Sequence, residues 1–195
     1  MQAGESDGFD ATLDRGQLLV HAGRLAVAAG VVPWWRVLSS GVATDPRVRA
    51  LAQTIGERGG QAQPIAFDLG DDAATRAACE RMLADGALDI LVNNAGVHDD
   101  AVFPALRSEQ WHRVIDVSLH GFFRVTQPLL LPMLRTRWGR IVNISSVAAI
   151  MGNRGQVNYA AAKGALHSAT RALSLEVASR GVTVTSGVTQ CGCSA

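Results

Sequence analysis

The sequence has no excess of charge of either sign: 18 Lys and Arg stand against 17 Asp and Glu, a formal net charge of +1. A nucleic-acid binder usually carries a clear basic surplus, so that class is set aside. Aromatic residues are scarce at 5%, although 48% of the chain is hydrophobic. Most of that apolar content is Ala, Val and Leu, a mix that suits buried parallel strands flanked by Ala-rich helices. Cysteine is sparse too, with only Cys79, Cys191 and Cys193. An odd, small set of thiols is no disulfide framework, and it points to a reducing cytoplasm. Cys191 and Cys193 have no His or further Cys near them in sequence, so the pair reads as part of a loose tail and no metal site is expected. No long uncharged apolar run is present. The nearest, Leu18 to Trp35, contains His21, Arg24 and Pro33. Charge at mid-span is costly in a bilayer, so no membrane span is expected. The first residues are polar and acidic, unlike a signal peptide.

What is present is regular. The 195 residues suffice for one globular domain. Residues 1–16 are polar and Gly-rich and read as a flexible terminus, leaving 17–195 as the domain. Leu18-Leu19-Val20 suits a strand, and Pro33-Trp34-Trp35 would interrupt a helix. From Thr44 to Arg58, Val48, Leu51, Ala52 and Ile55 share one helical face. Pro64 to Phe67 is a short apolar strand, and Asp71-Asp72 can cap a helix running to Asp85. Leu88 to Val92 is a continuous apolar strand of the kind buried on both faces. A long helical stretch covers Arg107 to Arg137, and a kink or break is expected near Pro128 and Pro132, which lack a backbone donor. Arg140 to Ile144 is a strand, Asn158 to Arg180 a helix, and Val182 to Thr185 begins a last strand. This alternation predicts an α/β fold with a doubly wound parallel sheet, Rossmann-like.

Tyr159 and Lys163 are four residues apart on a predicted helix, hence one turn apart on one face. A cation near a phenol favours phenolate, so such a tyrosine can exchange a proton with a carbonyl or alcohol. Ser146 lies at the end of a strand, where open α/β sheets place ligands, and its hydroxyl could orient a substrate carbonyl. Taken alone, the tyrosine–lysine spacing reads better as a surface pair on an amphipathic helix. It does not stand alone: Ser146 lies thirteen residues before Tyr159, and Asn93-Asn94-Ala95-Gly96 follows a buried strand.

This combination resembles the short-chain dehydrogenase/reductase family, most closely the bacterial β-ketoacyl-acyl-carrier-protein reductases. The resemblance runs from about residue 48 to 185 and is carried by Leu91-Val92-Asn93-Asn94-Ala95-Gly96-Val97, Gly139-Arg140-Ile141-Val142-Asn143-Ile144-Ser145-Ser146 and Met151-Gly152-Asn153-Arg154-Gly155-Gln156-Val157-Asn158-Tyr159. It implies carbonyl chemistry at Ser146, Tyr159 and Lys163, with Lys163 also holding the nicotinamide ribose. It implies NADP(H), or NAD(H), as cofactor, with Asn94, Ala95 and Gly96 beside it and Asp68 and Leu69 facing the adenine. It implies a role in fatty acid biosynthesis and a homodimer or homotetramer built on the two long helices. It also implies docking of an acidic acyl carrier protein at Arg137 and Arg180; surface cations at helix ends are an equal reading of those two residues.

Three departures stand out. The family opens with a strand and Thr-Gly-x-x-x-Gly-x-Gly, whose glycines let backbone approach a pyrophosphate. The stretch best placed to align, His21-Ala22-Gly23-Arg24-Leu25-Ala26-Val27-Ala28, has alanine where glycine is required. The family's Asn in the long central helix, part of the catalytic set, is here Ser118, which has a hydroxyl but a shorter reach and no amide. After Val184, Thr185 stands for an Asn and Thr189-Gln190 for a Pro-Gly turn, and the substrate lid is missing. With both ends altered, the chain looks like a truncated or frame-shifted product. Two functions are therefore expected in competition: an NADP(H)-dependent reductase of a 3-oxoacyl thioester, and a catalytically impaired member serving only as a structural or oligomerisation partner.

Overall fold

The computed structural model describes residues 17–21, 34–40, 53–54, 57, 61–62, 65–84 and 86–189. The expected terminus at 1–16, Ala22, Ala26 and Ala28, most of the helix at 44–58, Gln190, and Cys191 and Cys193 lie outside the described residues. One seven-stranded sheet organises the rest, in the order β3 (Gln61–Ala62), β2 (Trp34–Ser40), β1 (Gln17–His21), β5 (Ile90–Asn93), β6 (Gly139–Ser146), β7 (Val182–Thr189), with β4 (Ile65–Phe67) also paired to β2. Strands β5, β6 and β7 are parallel, with Ile90 opposite Arg140 and Gly139 opposite Val182. Helices α1 (Asp72–Leu83), α2 (Ser108–Ile115), α3 (Gly121–Thr136), α4 (Ala148–Met151) and α5 (Val157–Val177) complete the Rossmann-like α/β arrangement.

Strand β1 is the exception to the parallel order. It runs antiparallel to both β2 and β5. Twelve residues, 22–33, separate β1 from β2. An antiparallel pair needs no crossover element, whereas a parallel pair needs a connection of about a dozen residues or more, usually a helix. Trp34 and Trp35, read as helix-interrupting, open β2.

The local sequence explains the helix ends. Asp71 caps α1, its carboxylate accepting from the N–H groups of Ala73 at 2.8 Å and Ala74 at 3.0 Å. Such a cap typically stabilises by about 1 kcal/mol. Thr75, Ala78, Cys79 and Met82 then repeat at helical spacing and are buried. The break expected at Pro128 and Pro132 does not occur: α3 is assigned without interruption through both. The irregularity sits upstream instead, in a π-turn at Asp116–His120, where the Gly121 N–H reaches back to the Asp116 carbonyl. Helix α3 ends at Arg137, in the left-handed region at φ 54°. Gly181, at φ +73°, packs against that cap so closely that an added Cβ would lie 2.2 Å from the Arg137 carbonyl oxygen.

Two clusters form the interior. Leu69, Met82, Leu91, Leu129, Met133 and Ile141 are at most 1% exposed and belong to the larger one. Each such side chain contributes about 1.5–3 kcal/mol when taken from water. A smaller cluster joins Val97, Val114, Tyr159 and Ala162, and so places an expected catalytic residue within packed structure.

Candidate active site

Ser146 ends β6, while Tyr159 and Lys163 lie in the first two turns of α5. Backbone and side chain bonds tie these elements together. The Ser145 hydroxyl donates to the Lys163 carbonyl at 3.0 Å. The Lys163 ammonium donates to the Ile144 carbonyl at 2.8 Å and to the Ala95 carbonyl at 3.4 Å. Lys163 thereby bridges the ends of β5 and β6 from within α5. It is 2% exposed, and Ser146 and Tyr159 are 2% and 6% exposed. The Lys163 ammonium sits 5.9 Å from the centre of the Tyr159 ring. The Ser146 hydroxyl accepts from the Ala148 N–H at 3.2 Å, which orients its oxygen at the start of the next segment.

Gly96 makes the approach of Lys163 feasible. A Cβ there would stand 3.1 Å from the Lys163 Nζ and 3.3 Å from its Cε. The Ser118 hydroxyl lies 3.7 Å from the same point, and Ser118 is 3% exposed. Its oxygen is buried without a hydrogen-bond partner. A buried polar atom of this kind calls for a function, a water or a ligand group. The π-turn at Asp116–His120 carries it, and π-turns are frequent at functional positions. Ser118, Gly96 and Lys163 thus converge on one point.

Asp116 staples that turn. Its carboxylate bonds His120 at 3.0 Å and receives Arg124 at 2.9 Å. Burial pushes the Asp116 carboxyl up, but the hydrogen bonds from His120 and Arg124 outweigh it and hold it below the usual range. Arg124 also pairs with Asp72 and donates to the Leu69 carbonyl at 3.0 Å. The loop Asp68–Gly70 is thereby fixed to α3. Asp68 is exposed, and its carboxylate accepts from the Gly70 N–H at 2.8 Å. Leu69 is 1% exposed and committed to the core, so only its backbone can meet a cofactor.

The nicotinamide end of a cofactor site fits these residues: Lys163 offers an ammonium, and Gly96 keeps the space beside it open. The diphosphate end does not fit in the same way. His21, the last residue of β1, pairs with Ile90, the first residue of β5. The end of β1 therefore lies at the edge of the sheet opposite Asn93 and Ser146. A phosphate-binding turn leaving β1 would open on the wrong side.

Arg137 and Arg180 also lie away from the catalytic end. The Arg137 guanidinium donates to the Ser179 carbonyl at 3.0 Å, so it joins α3 to the turn that carries Arg180. Both flank the starts of β6 and β7. Ser146 is at the far end of β6, about 23 Å along a strand of this rise.

Other residues proved more central than their sequence context suggested. Asn143 is fully buried; its side chain accepts from the Asn93 amide at 2.8 Å and donates to Thr170 at 2.8 Å. Asn93 also donates to Thr126 at 2.9 Å. One polar chain thus links β5, β6, α3 and α5. The signal was legible: Asn143 alternates with buried Ile141, which places it on an inward face. Asn158, just before Tyr159, accepts the Tyr159 N–H at 2.8 Å and donates to the Asp99 carbonyl at 3.0 Å. Among the described residues no group of three or more His, Cys, Asp or Glu could hold a metal ion, and no helix is long and apolar enough to cross a membrane.

Comparison with known proteins agrees with this geometry. The profile of the short chain dehydrogenase family matches residues 35–193. The 3-oxoacyl-acyl-carrier-protein reductase FabG of Aggregatibacter actinomycetemcomitans is 43% identical over 140 residues, covering 69% of this chain and 57% of that protein. The protein of the same name from Escherichia coli (strain K12) is 38% identical over 158 residues, covering 70% and 65%. An acetoacetyl-CoA reductase of Acinetobacter sp. (strain RA3849) is 43% identical over 136 residues, covering 68% and 55%. The chain therefore spans between 55% and 65% of the length of these relatives. With a matching profile over most of its length and a buried Ser146, Tyr159 and Lys163 gathered at the strand ends, this chain belongs to the short-chain dehydrogenase family.

Proposed function

We propose that the chain is a nicotinamide-dependent oxidoreductase that reduces the ketone of a 3-oxoacyl thioester to a hydroxyl, with NADP(H) preferred over NAD(H). The observation that carries this is Lys163, buried beside Tyr159 and bonded to the carbonyls at the ends of β5 and β6. A bound nicotinamide supplies the hydride for the carbonyl carbon. The Tyr159 phenol gives its proton to the carbonyl oxygen, and the Lys163 ammonium stabilises the phenolate left behind. The Ser146 hydroxyl donates to the same carbonyl oxygen and orients it. The Ser118 hydroxyl lies close to Gly96 and Lys163, where a water bonded to it could pass a proton onward. The reading places the enzyme in the cytoplasm, in fatty acid biosynthesis. Docking of an acidic carrier protein at Arg137 and Arg180 belongs to the same proposal. Because those residues lie far from Ser146 along β6, the carrier's arm must span that distance or serve a second protomer. Phe123, Leu131 and Leu175, at 63%, 52% and 83% exposed on α3 and α5, support pairing of these helices in a homodimer or homotetramer. The test is oxidation of NADPH with an acetoacetyl thioester. Turnover by the wild type and its loss in Tyr159→Phe are expected; equal rates in both would refute the reading.

A second reading is favoured by the antiparallel β1, whose end faces away from the catalytic residues. The chain would then act only as a structural or oligomerisation partner of an intact relative. Calorimetric titration with NADPH and NADH separates the two, since tight binding by this chain alone argues against the partner role.

A further inference from the structure

His98 has no part in the chemistry described so far, yet it lies against the residue that does the most. Its imidazole and the Tyr159 phenol have ring centres 4.3 Å apart and planes tilted by 36°. That separation is slightly shorter than the spacing of about 4.5–7 Å usual for paired aromatic rings, so the two rings are in direct contact. The contact is held from outside by the neighbours of both residues. The Asn158 carboxamide accepts the Tyr159 N–H and donates to the Asp99 carbonyl, so it locks the residue before the phenol to the residue after the imidazole. Asn158 is fully buried, which makes the clamp hard to displace. The Asp99 carboxylate accepts from the Gln110 amide at 2.5 Å and faces Arg113 at 3.5 Å. The next residue, Asp100, accepts from the Gln156 amide at 2.9 Å, and the Ala101 N–H donates to the Gly155 carbonyl at 2.9 Å. The segment 97–101 is therefore a strap fastened across the start of α5, with His98 on the Tyr159 ring. Val97 and Val114 pack around that ring in the same cluster.

We propose that His98 is a positioning residue for Tyr159, holding the phenol in one orientation for proton transfer; this deepens the reductase reading and rests on it. A phenol must meet the carbonyl oxygen at hydrogen-bond distance, and displacement of a catalytic group by about 1 Å can cost a hundredfold in rate. Lys163 acts on the charge of the phenol, from 5.9 Å, and does not confine its ring. The imidazole face does that, and any flat ring of similar size can serve in its place.

Tyr159 is the single tyrosine of the chain, so labelled tyrosine reports on this residue alone. Carbon-13 relaxation of the ring is measured in the wild type, His98→Ala and His98→Phe. The ring order parameter is expected to fall in His98→Ala and to stay at the wild-type value in His98→Phe. In the thioester assay, kcat is expected to fall about tenfold to a hundredfold in His98→Ala, with the KM for NADPH unchanged, and most of it returns in His98→Phe. An unchanged order parameter in His98→Ala, or a loss in His98→Phe as large as in His98→Ala, overturns the proposal. If the wild type turns over no substrate, the reductase reading fails, and the ring mobility still decides whether His98 positions Tyr159.

Discussion

Replacing Asn143 by alanine removes the middle of the polar chain that joins four elements of the fold. In the wild type its carboxamide accepts from Asn93 at 2.8 Å and donates to Thr170 at 2.8 Å, in a site with no solvent exposure. Two such bonds contribute about 1 kcal/mol each. Asn93 keeps its bond to Thr126, but its other N–H then faces a hole, which adds about 1 kcal/mol. The void left by the lost carboxamide costs further, bringing the expected loss to about 3–5 kcal/mol. That is a large share of a domain stability of about 5–15 kcal/mol. Urea unfolding followed by circular dichroism measures it. With a slope of about 2 kcal/mol per molar, the midpoint should fall by about 1.5–2.5 M. Thr126→Val is the internal control, since it removes one acceptor at nearly constant shape and should cost about 1 kcal/mol. A loss below about 1 kcal/mol for Asn143→Ala would refute the view that this chain of amides holds β5, β6, α3 and α5 in register.

Three further outcomes are expected. Gly96→Ala should push Lys163 away by a few tenths of an ångström, because the new Cβ would stand 3.1 Å from its Nζ; turnover should fall about tenfold while the thermal midpoint barely moves, and an unchanged kcat would contradict the placement. The Asp116 carboxyl titrates below its ordinary value of 3.8 in the folded chain, so its contribution to stability is complete above that value and fades as pH falls through the lower, folded-state value. Asp116→Asn should therefore flatten the acid side of a plot of thermal midpoint against pH, and a curve identical to the wild type would rule this out. Burial pushes the Cys79 thiol up to about 12, leaving almost no thiolate at neutral pH. Peptide mapping after alkylation should find Cys79 unmodified in the native protein and modified after denaturation; equal labelling in both states contradicts the burial.

The catalytic half of the molecule was legible because its signals are short in sequence. Tyr159 and Lys163 are related by one helical turn, Asn94 to Gly96 follow a strand buried on one face and half-buried on the other, and Ser146 ends the next. Local geometry alone brings such residues to one end of a sheet. The π-turn at Asp116–His120 was not legible, whereas the helix runs unbroken through Pro128 and Pro132. A π-turn depends on side-chain staples such as Asp116 with His120 and Arg124, which no single-residue preference records. Alternation with Ile141 put Asn143 on an inward face, but its partners on two helices and a second strand lie far off in sequence and could not be read from it.

The sequence by itself determined the order of strands and helices from Ile65 onward and the helix face shared by Tyr159 and Lys163. These follow from hydrophobic period, caps and breakers, all short-range effects. It also showed the missing glycines after His21. Only the tertiary structure decided the direction of β1, because the pairing partner of a strand is chosen by contacts distant in sequence. It likewise decided that the Leu69 side chain packs into the core, that Arg137 and Arg180 sit far from Ser146, and that the His98 ring lies on Tyr159. The last of these depends on how the 60 residues between His98 and Tyr159 fold to bring the two rings together, which no local pattern encodes.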